Sequence, residues 1–377
     1  MTVRIERVEV LCLQDPGASY NRFEGSYQNA VVVVHGDNGL CGIGESDTPP
    51  SVLRAIVEMP TYNSLAEGLG SILTGQELDD PRRLWDEMYR RTQWFGRHGA
   101  VLHAISALDI AIWDLFARSR GVPVHALLGG KRHDRLPVYA TIYPLADTPD
   151  GITAQAEALR ARGFRALKIC VDPWWQDAPL VRLNLTHLRK VVGDACDLML
   201  DVAQEFTRFD EIEGFLPLLE ELDFKWIEAP FPLGSIADHA RLRQKTRIPV
   251  GVGDLGFTTC REVTPFLDAG ALDFVQPDVT MFGGLSEMTR LAAMLGPRRI
   301  VPHGYNSDIT IAANLQFLST RLEPELVEYS TSPALLRNRL AVGLAPVGED
   351  GMIAVPDTPG LGVALNPEVV TCTRQVA

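Results

Sequence analysis

The sequence of 377 residues predicts an α/β fold, a modified TIM barrel of the (β/α)7β type with an N-terminal α+β capping domain. Three observations predict it. From residue 131 onward, short β-rich runs alternate strictly with helical stretches, as in a parallel barrel. Ionisable residues end many of these runs, at the strand ends where β/α barrels carry their chemistry. The preceding 130 residues lack this alternation and have the pattern of a separate, smaller domain, with strands followed by helices.

The capping domain is predicted over residues 1–130. Residues 3–13 and 28–35 have the apolar, β-branched composition of antiparallel strands. Apolar residues then recur at three- and four-residue intervals over 82–92 and 98–119, the pattern of two packed helices. Strands followed by helices indicate an α+β unit.

The barrel is predicted over residues 131–330, after a glycine- and proline-containing junction at 127–137. A doubly wound sheet is the structural alternative. It normally has a glycine-rich phosphate loop after its first strand, and VYATIYPLAD contains no such loop. The strand candidates are VYATIY, ALKICV, DLMLD, KWIEA, IPVGV, DFVQ, RIVPH and LVEYS. The helical stretches lie near 151–162, 179–192, 209–222, 235–246, 259–269, 284–296 and 307–320.

The tail, residues 331–377, is rich in proline and glycine and too long for a frayed end. We expect it to return and complete the capping domain.

Composition and charge exclude several classes of partner. The formal charge is −13, so the surface field repels nucleic acid and anionic membranes. The six cysteines are scattered without a paired motif, which is typical of reduced thiols in a cytosol. The first residues lack a secretory pattern, and no stretch has the uninterrupted apolar length of a membrane span. We expect a soluble, cytoplasmic protein that binds a small molecule.

Three carboxylates, Asp201, Glu228 and Asp254, follow three successive predicted strands, about one β/α unit apart. Adjacent strands bring their ends together, and three convergent carboxylates repel one another unless a cation neutralises them. Oxygen ligands of this kind favour a hard ion such as Mg²⁺. Any one of the three alone is as well explained as a helix cap or a loop salt bridge.

Two further strand ends carry Asp278 and His303, one unit apart. A carboxylate facing a histidine fixes the tautomer of the imidazole and raises its basicity, which makes a general base. A partly buried structural histidine is the alternative.

The second predicted barrel strand ends in Lys168 and Cys170, which are two residues apart and therefore lie on one face of the strand. A lysine that ends an apolar strand is expected to point into a polar cavity. The cysteine is either a small buried hydrophobe or a thiol that ionises more easily beside the lysine and near the metal.

With these residues in place, the chain resembles the enolase superfamily, specifically its mandelate racemase-like branch, which holds many acid-sugar dehydratases. The resemblance covers nearly the whole chain. The motifs that carry it are GIGES, SALDIAIWDL, HALLGG, IEAPFP, VQPDVTMFGG, VPHG and VEYS.

The resemblance implies a Mg²⁺ ion bound by Asp201, Glu228 and Asp254, with the substrate carboxylate on the metal. Removal of the α-proton then gives an enediolate, whose developing charge needs a metal and fixed donors. Some residues depart from the pattern: Asp254 stands where related branches often carry Glu, Ala203 where Asn is common and Ala229 where a second Glu is common.

The resemblance also implies catalytic roles. Asp278 and His303 are the dyad base, and Glu328 is the acid that hydrogen-bonds the enediolate oxygen. Lys168, the first lysine of the family's Lys-x-Lys motif, stabilises the carboxylate end of the intermediate. The second lysine of that motif is Cys170 here. A racemase needs competent groups on both faces of the substrate, so this departure favours dehydration, with His303 as the single base.

Two loops of the capping domain, 19–27 and 46–54, are the expected lids over the substrate. Arg22 suits a second carboxylate. Trp174 and Trp175 either narrow the barrel mouth or form a subunit contact. The candidate substrate contacts in the first loop are Tyr20, Asn21, Arg22 and Phe23, with Cys170 at the barrel strand.

The expected reaction is Mg²⁺-dependent dehydration of an aldonate or aldarate to a 2-keto-3-deoxy acid. A racemase, epimerase or cycloisomerase acting through the same enediolate is one alternative, and a noncatalytic binding protein is another. The resemblance also implies a symmetric homo-oligomer, an octamer or a dimer.

Overall fold

The computed structural model describes residues 3–17, 27–170, 173–254 and 256–374, without the side chains of 173 and 174. A four-stranded antiparallel sheet opens the chain, with the strand order β3-β2-β1-β4. The predicted meander is confirmed. Its strands are β1 (Val3–Gln14), β2 (Gln28–Gly36), β3 (Cys41–Ser46) and β4 (Glu77–Leu78).

Within the described residues, five helices accompany this sheet, and two of them match the predicted pair. They are α1 (Pro50–Glu58), α2 (Leu69–Leu73), α3 (Pro81–Arg91), α4 (Ala100–Ser119) and α5 (Val124–Leu127). Helix α4 packs so closely on β3 that a Cβ atom at Gly44 would lie 2.0 Å from the carbonyl oxygen of Ala107. By length and composition α4 could cross a membrane, but 89% of its most apolar window is buried within the protein, as in a core helix.

The main body is a curled parallel sheet, TIM-barrel-like, and the predicted fold class is confirmed. The strand order is β10-β9-β8-β7-β6-β5-β11. The predicted seventh strand, 299–303, joins it through two bridges, Val275 to Ile300 and Asp278 to His303. The strands are β5 (Arg135–Ile142), β6 (Ala166–Cys170), β7 (Asp197–Asp201), β8 (Phe224–Glu228), β9 (Val250–Val252), β10 (Phe274–Val275) and β11 (Val327–Ser330).

Helices connect these strands, with two corrections to the predicted boundaries. The stretch 209–222 is two helices, because Gly214 ends the first and Pro217 lies in the first turn of the second. The stretch 259–269 is a 3₁₀ turn at Cys260–Glu262 and a short helix with Pro265 in its first turn. The helices are α6 (Pro149–Ala161), α7 (Ala178–Val192), α8 (Phe209–Glu213), α9 (Leu216–Glu221), α10 (Ile236–Lys245), α11 (Thr264–Asp268), α12 (Gly284–Leu295) and α13 (Asp308–Leu318).

The tail contacts both parts of the molecule. Strand β13 pairs antiparallel with β5 of the barrel, and Arg374 bridges Leu13 of β1. The domain boundaries at residues 130 and 330 stay a prediction. The tail elements are α14 (Leu335–Asn338), β12 (Ala341–Val342), β13 (Met352–Ala354), β14 (Ala364–Leu365) and α15 (Pro367–Thr373).

A buried polar contact joins α4 of the capping domain to α12 of the barrel. The hydroxyl of Ser286 donates to Oδ1 of Asp109 at 2.6 Å, and its backbone N–H donates to Oδ2 at 2.8 Å. The indole N–H of Trp113 donates to the same hydroxyl at 3.0 Å. Burial raises the pKa of Asp109 to about 7. This junction holds the cap against the barrel.

Candidate active site at the mouth of the barrel

The three predicted metal ligands converge at the carboxyl ends of adjacent strands. Asp201 ends β7 and pairs in register with Glu228, which ends β8, while Asp254 follows β9. All three are buried. One carboxylate oxygen from each lies within 4.8 Å of the others. The spacing of the three acids along the sequence therefore places them at one point in space.

These carboxylates fit a hard divalent cation. Burial raises the pKa of Glu228 and of Asp254, and the neighbouring carboxylates raise both further. Lys168 lowers both pKa values but does not outweigh these effects, so three ionised carboxylates are costly here even beside one lysine. Oδ1 of Asp254 is buried and finds no hydrogen-bond partner among the residues that the structure describes. An oxygen cluster with an unsatisfied acceptor matches the ligand preference of Mg²⁺.

Lys168 of β6 is fully buried and lies among carboxylates. Its Nζ is 2.5 Å from Oε1 of Glu228, 3.1 Å from Oδ2 of Asp201 and 3.0 Å from Oε1 of Glu328. Burial opposes the charge on the lysine, but the three carboxylates outweigh burial and raise its pKa well above the usual value. Lys168 is therefore a permanent cation at the site, and its predicted position in a polar cavity agrees with this geometry.

The interior beneath the site is filled by a packed layer of large side chains. The indole N–H of Trp226 donates to Oε2 of Glu228 at 3.0 Å, so this layer also fixes one of the three carboxylates. The barrel is therefore closed below the site, and the chemistry is confined to its mouth. The residues of the layer are Tyr139, Ala166, Met199, Trp226, Phe274 and Val301.

Asp278 and His303 lie opposite each other across the bridge between the sixth and seventh strand positions. Nδ1 of His303 is 2.6 Å from Oδ2 of Asp278. The other oxygen of Asp278 accepts hydrogen bonds from the backbone N–H and the hydroxyl of Thr280, at 2.6 and 2.7 Å. Both oxygens of the aspartate are thus held by hydrogen bonds. Nε2 of the imidazole stays available for proton transfer in the cavity that His303 lines.

Glu328 of β11 lies on the other side of His303, with Oε2 3.8 Å from Nε2. Burial opposes ionisation of Glu328, but Lys168 and His303 outweigh burial and lower its pKa to about 2. Burial also opposes the charge on His303, but Glu328 and Asp278 raise its pKa to about 10. In the protein without a bound metal, these charges favour the single proton of the pair on His303. Moving it to Glu328 leaves a neutral imidazole that can act as a base and a carboxylic acid that can donate.

Cys170 ends β6 in the position of the absent second lysine. Its thiol donates to Oδ2 of Asp201 at 3.7 Å. Burial and the charge of Asp201 raise the pKa of the thiol well above its usual value and outweigh Lys168. Without a bound metal, the neighbouring lysine therefore does not make this thiol ionise more easily, and the effect of a metal on the thiol stays a prediction.

A cleft that is open to solvent, with about 560 Å³ of space not filled by protein atoms, lies over these groups. Asp47, from the predicted lid loop 46–54, lines it. Only 47–49 of that segment form a loop, because Pro50 already begins helix α1. The predicted contacts Tyr20, Asn21, Arg22 and Phe23 lie outside the described residues. The prediction for the two tryptophans is corrected at Trp175, which is buried against the ring of Phe215, 5.4 Å away, and therefore neither narrows the mouth nor offers an exposed contact. The side chain of Trp174 lies outside the described part of the chain. The lining residues are Asp47, Thr141, Tyr143, Cys170, Asp201, Ala203, Asp254, His303, Tyr305, Glu328 and Arg337.

Sequence reasoning missed four of these lining residues. Thr141 had a signal, because it lies two positions after Tyr139 on one strand and therefore faces the same interior. Its hydroxyl donates to Oε1 of Glu328. Tyr143 shared that signal, because it ends the predicted strand VYATIY four positions after Tyr139, although the strand of the structure stops at Ile142. Tyr305 and Arg337 lie outside the regular strands, where no periodic pattern indicates a direction.

Family models match most of the chain. Residues 22–129 match the mandelate racemase / muconate lactonizing enzyme N-terminal domain, and residues 151–369 match the enolase C-terminal domain-like family. The two matched regions correspond to the cap and the barrel.

Individual relatives are similar over nearly their full length. The chain is 30% identical to L-rhamnonate dehydratase of Saccharopolyspora erythraea, covering 94% of this chain and 89% of that protein. It is 29% identical to D-galactarolactone cycloisomerase of Agrobacterium fabrum, covering 91% and 90%. The crystal structure of 3,6-anhydro-D-galactonate cycloisomerase from Zobellia galactanivorans superposes with a TM-score of 0.88 at 25% identity, covering 99% and 100%.

Members of the enolase superfamily bind Mg²⁺, and this chain has a buried acidic trio. Its relatives include enzymes that act on acid sugars by dehydration and by cycloisomerisation. On the evidence of both domain matches, the fold and the site, the chain is an enzyme of the enolase superfamily.

Proposed function

We propose that this enzyme dehydrates an acid sugar, an aldonate or aldarate, to a 2-keto-3-deoxy acid in a Mg²⁺-dependent reaction. The observation that carries the proposal is the asymmetry of the site. One face has the Asp278–His303 dyad, while the position of the second lysine holds the thiol of Cys170, whose pKa is raised by burial. The 30% identity to L-rhamnonate dehydratase supports the same reaction class.

Asp201, Glu228 and Asp254 would hold the ion, one carboxylate oxygen from each. When bound, the ion supplies a Lewis acid that anchors the substrate carboxylate and acidifies the adjacent carbon. Lys168, fixed as a cation by three carboxylates, adds positive charge at the same end of the substrate.

Proton transfer is assigned to His303. In its neutral form, Nε2 takes the α-proton while Asp278 holds Nδ1–H and fixes the tautomer. Glu328, in its protonated form, donates to the developing enediolate oxygen; Lys168 and Thr141 orient its carboxyl group. The β-hydroxyl then leaves as water with the proton from His303, and the enol tautomerises to the 2-keto acid.

Racemisation is disfavoured because it needs a second group that exchanges protons on the opposite face. A thiol that keeps its proton cannot accept one there. One-base chemistry by His303 alone is therefore the better match to this set of side chains.

Cycloisomerisation is the second candidate, favoured by the similarity to two cycloisomerases, one of D-galactarolactone and one of 3,6-anhydro-D-galactonate. It can start with the same removal of an α-proton by one base. The two reactions differ in what leaves the β-carbon: a hydroxyl lost as water, or a ring oxygen that stays on the product.

A panel of acid sugars and sugar lactones tests the proposal. The protein is incubated with Mg²⁺ and each compound, and products are analysed by mass spectrometry and by an assay for 2-keto-3-deoxy acids. Dehydration gives a product lighter by one water. A product of unchanged mass from a lactone or anhydro sugar favours the cycloisomerase. Solvent deuterium entering an α-position without a keto product contradicts both.

A further inference from the structure

Glu45 lies in β3 of the capping domain and is a fully buried acid that the chemistry proposed above does not use. Its backbone pairs with Val31 of β2, so the sheet of the cap fixes the point from which its side chain extends. A buried carboxyl group is costly unless hydrogen-bond donors surround it. Burial raises the pKa of Glu45, and hydrogen bonds from Thr310, Asn29 and Ser307 oppose that rise. Two of these three donors belong to the barrel.

The donors of the barrel lie in the first turn of α13. Oε1 of Glu45 accepts from the hydroxyl of Ser307 and from the backbone N–H of Thr310, both at 2.8 Å. The backbone N–H of Ser307, at 3.3 Å, and the hydroxyl of Thr310 donate to the same oxygen. Ser307 is the N-cap of α13, and its hydroxyl accepts from the N–H of Ile309. In a capping box the acidic side chain belongs to the helix that it caps, whereas here it comes from another domain.

Helix α13 in turn holds the base. His303 precedes Ser307 by four residues, so the loop that carries the imidazole runs directly into the capped end of the helix. The side-chain amide of Asn314, within α13, donates to the backbone carbonyl of His303 at 3.1 Å. All residues of α13 are buried, and a close-packed interior transmits a shift of one element to its neighbours. The position of α13 therefore sets the position of His303.

A second residue of the cap contacts the loop itself. The amide nitrogen of Asn29 donates to Oε2 of Glu45 at 2.8 Å and to Oδ1 of Asn306 at 3.5 Å. One oxygen of Glu45 is thus held by the cap and the other by the barrel helix. The cap and the loop are joined by buried hydrogen bonds on both sides.

We propose that Glu45 is a positioning residue: by capping α13 it holds the loop of His303, so that docking of the cap sets the place of the catalytic base. The inference rests on the proposed role of His303 and adds a residue that acts through it. The contact between His303 and Asp278 is 2.6 Å long, and a misplacement of about 1 Å at a remote site can cost about 10²-fold in rate. A purely structural Glu45 would change stability and leave the dyad and its turnover unchanged.

Two replacements of Glu45 separate these roles. Glu45→Ala removes both acceptors and should lower kcat on the order of 10- to 100-fold, with KM changed by less than about threefold. Glu45→Gln should recover most of the loss, because its amide oxygen can accept from Ser307 and Thr310. Its amide nitrogen can donate to the oxygen of Asn29, which has no partner among the described residues, once that amide turns over. Glu6→Ala, at an exposed position of β1, is the matched control.

A spectroscopic readout needs no substrate. The proton between Nδ1 of His303 and Asp278 should give a downfield imidazole N–H resonance in proton NMR, assigned by its absence in His303→Asn. Glu45→Ala should shift or broaden this resonance, whereas Glu45→Gln and Glu6→Ala should keep it. If the wild type turns over no acid sugar, the proposed reaction alone is contradicted, and the resonance still tests Glu45.

Thermal unfolding shows whether each variant folds, and Thr310→Val carries the test if Glu45→Ala does not. This replacement deletes one hydroxyl donor to Oε1 of Glu45, so it should shift the same resonance and lower kcat, by less than Glu45→Ala. A wild-type resonance with wild-type kcat in folded Glu45→Ala overturns the inference, and so does a loss confined to KM. The same results in Thr310→Val overturn it where that variant takes the place of Glu45→Ala.

Discussion

Asp278 and His303 meet across a single bridge at the edge of the parallel sheet, with 2.6 Å between Oδ2 and Nδ1. The bridge fixes the backbone of both residues, and the two hydrogen bonds from Thr280 fix the carboxylate. The orientation of the imidazole is therefore built into the sheet and does not depend on bound substrate.

Replacement of this histidine tests the base. His303→Asn should lower turnover on the order of 10³-fold or more, because positioned proton transfer contributes about 10²–10⁴-fold. Mg²⁺ binding should persist, since His303 is not among the three ligands. Product formation and calorimetry with Mg²⁺ measure the two effects. His98→Asn, at an exposed position, is the control, and undiminished α-proton exchange in His303→Asn would refute the assignment.

Removal of the cation tests the acidic trio. A chelator should abolish turnover, and Mg²⁺ at about 100 times its Kd should stabilise the wild type by about 2.7 kcal/mol, since it binds only the folded state. Asp254→Asn removes one of three converging charges and should lose most of that stabilisation. Asp268→Asn, exposed at the end of α11, should keep it. Thermal unfolding with and without Mg²⁺ measures both, and an unchanged Mg²⁺ effect in Asp254→Asn would contradict the site.

Cys170 decides between one base and two. Cys170→Ala should keep kcat/KM within about tenfold of the wild type, because the thiol holds its proton and moves none in the reaction. Loss of a true acid–base group would cost about 10²–10⁴-fold instead. Cys170→Ser separates the loss of volume from the loss of sulfur. If Cys170→Ala were as inactive as His303→Asn, the one-base mechanism would be wrong.

The junction residue Asp109 makes stability depend on pH. Its pKa is about 7 in the folded protein and about 3.9 in an unfolded chain, so the folded state holds a proton that the unfolded state releases. Its contribution is full below about pH 3.9 and is lost as the pH rises through 7. From pH 5 to pH 8, Asp109→Asn should therefore gain about 2 to 4 kcal/mol relative to the wild type.

Urea unfolding at the two pH values measures this difference, with the slope showing whether the same surface is exposed. Asp194→Asn, in an exposed turn, should leave the pH dependence of the wild type unchanged. A constant difference between Asp109→Asn and the wild type at both pH values would mean that Asp109 stays charged when buried.

The sequence predicted the barrel and the convergence of the trio because both follow from regular spacing. All strands of a parallel barrel end at the same face, so acids that end successive strands lie close together whatever the conformation of the loops. The helix predicted over 209–222 was wrong as a single helix, because the spacing of its apolar residues continues across the break at Gly214 and Pro217. Arg337 was missed for a different reason: it reaches the cavity from a tail without periodicity, and only tertiary packing brings it beside Asn306.

The pairing of Arg374 with Glu9, 365 positions apart along the chain, has a kinetic consequence. Such a contact closes a very large loop, and closing the loop costs conformational entropy of the chain before the contact can stabilise the fold. Docking of the tail should therefore be a late step of folding. Since Arg337 belongs to that tail, the barrel and its acidic trio should assemble before the cavity wall is finished, and the complete cavity should form after the metal site.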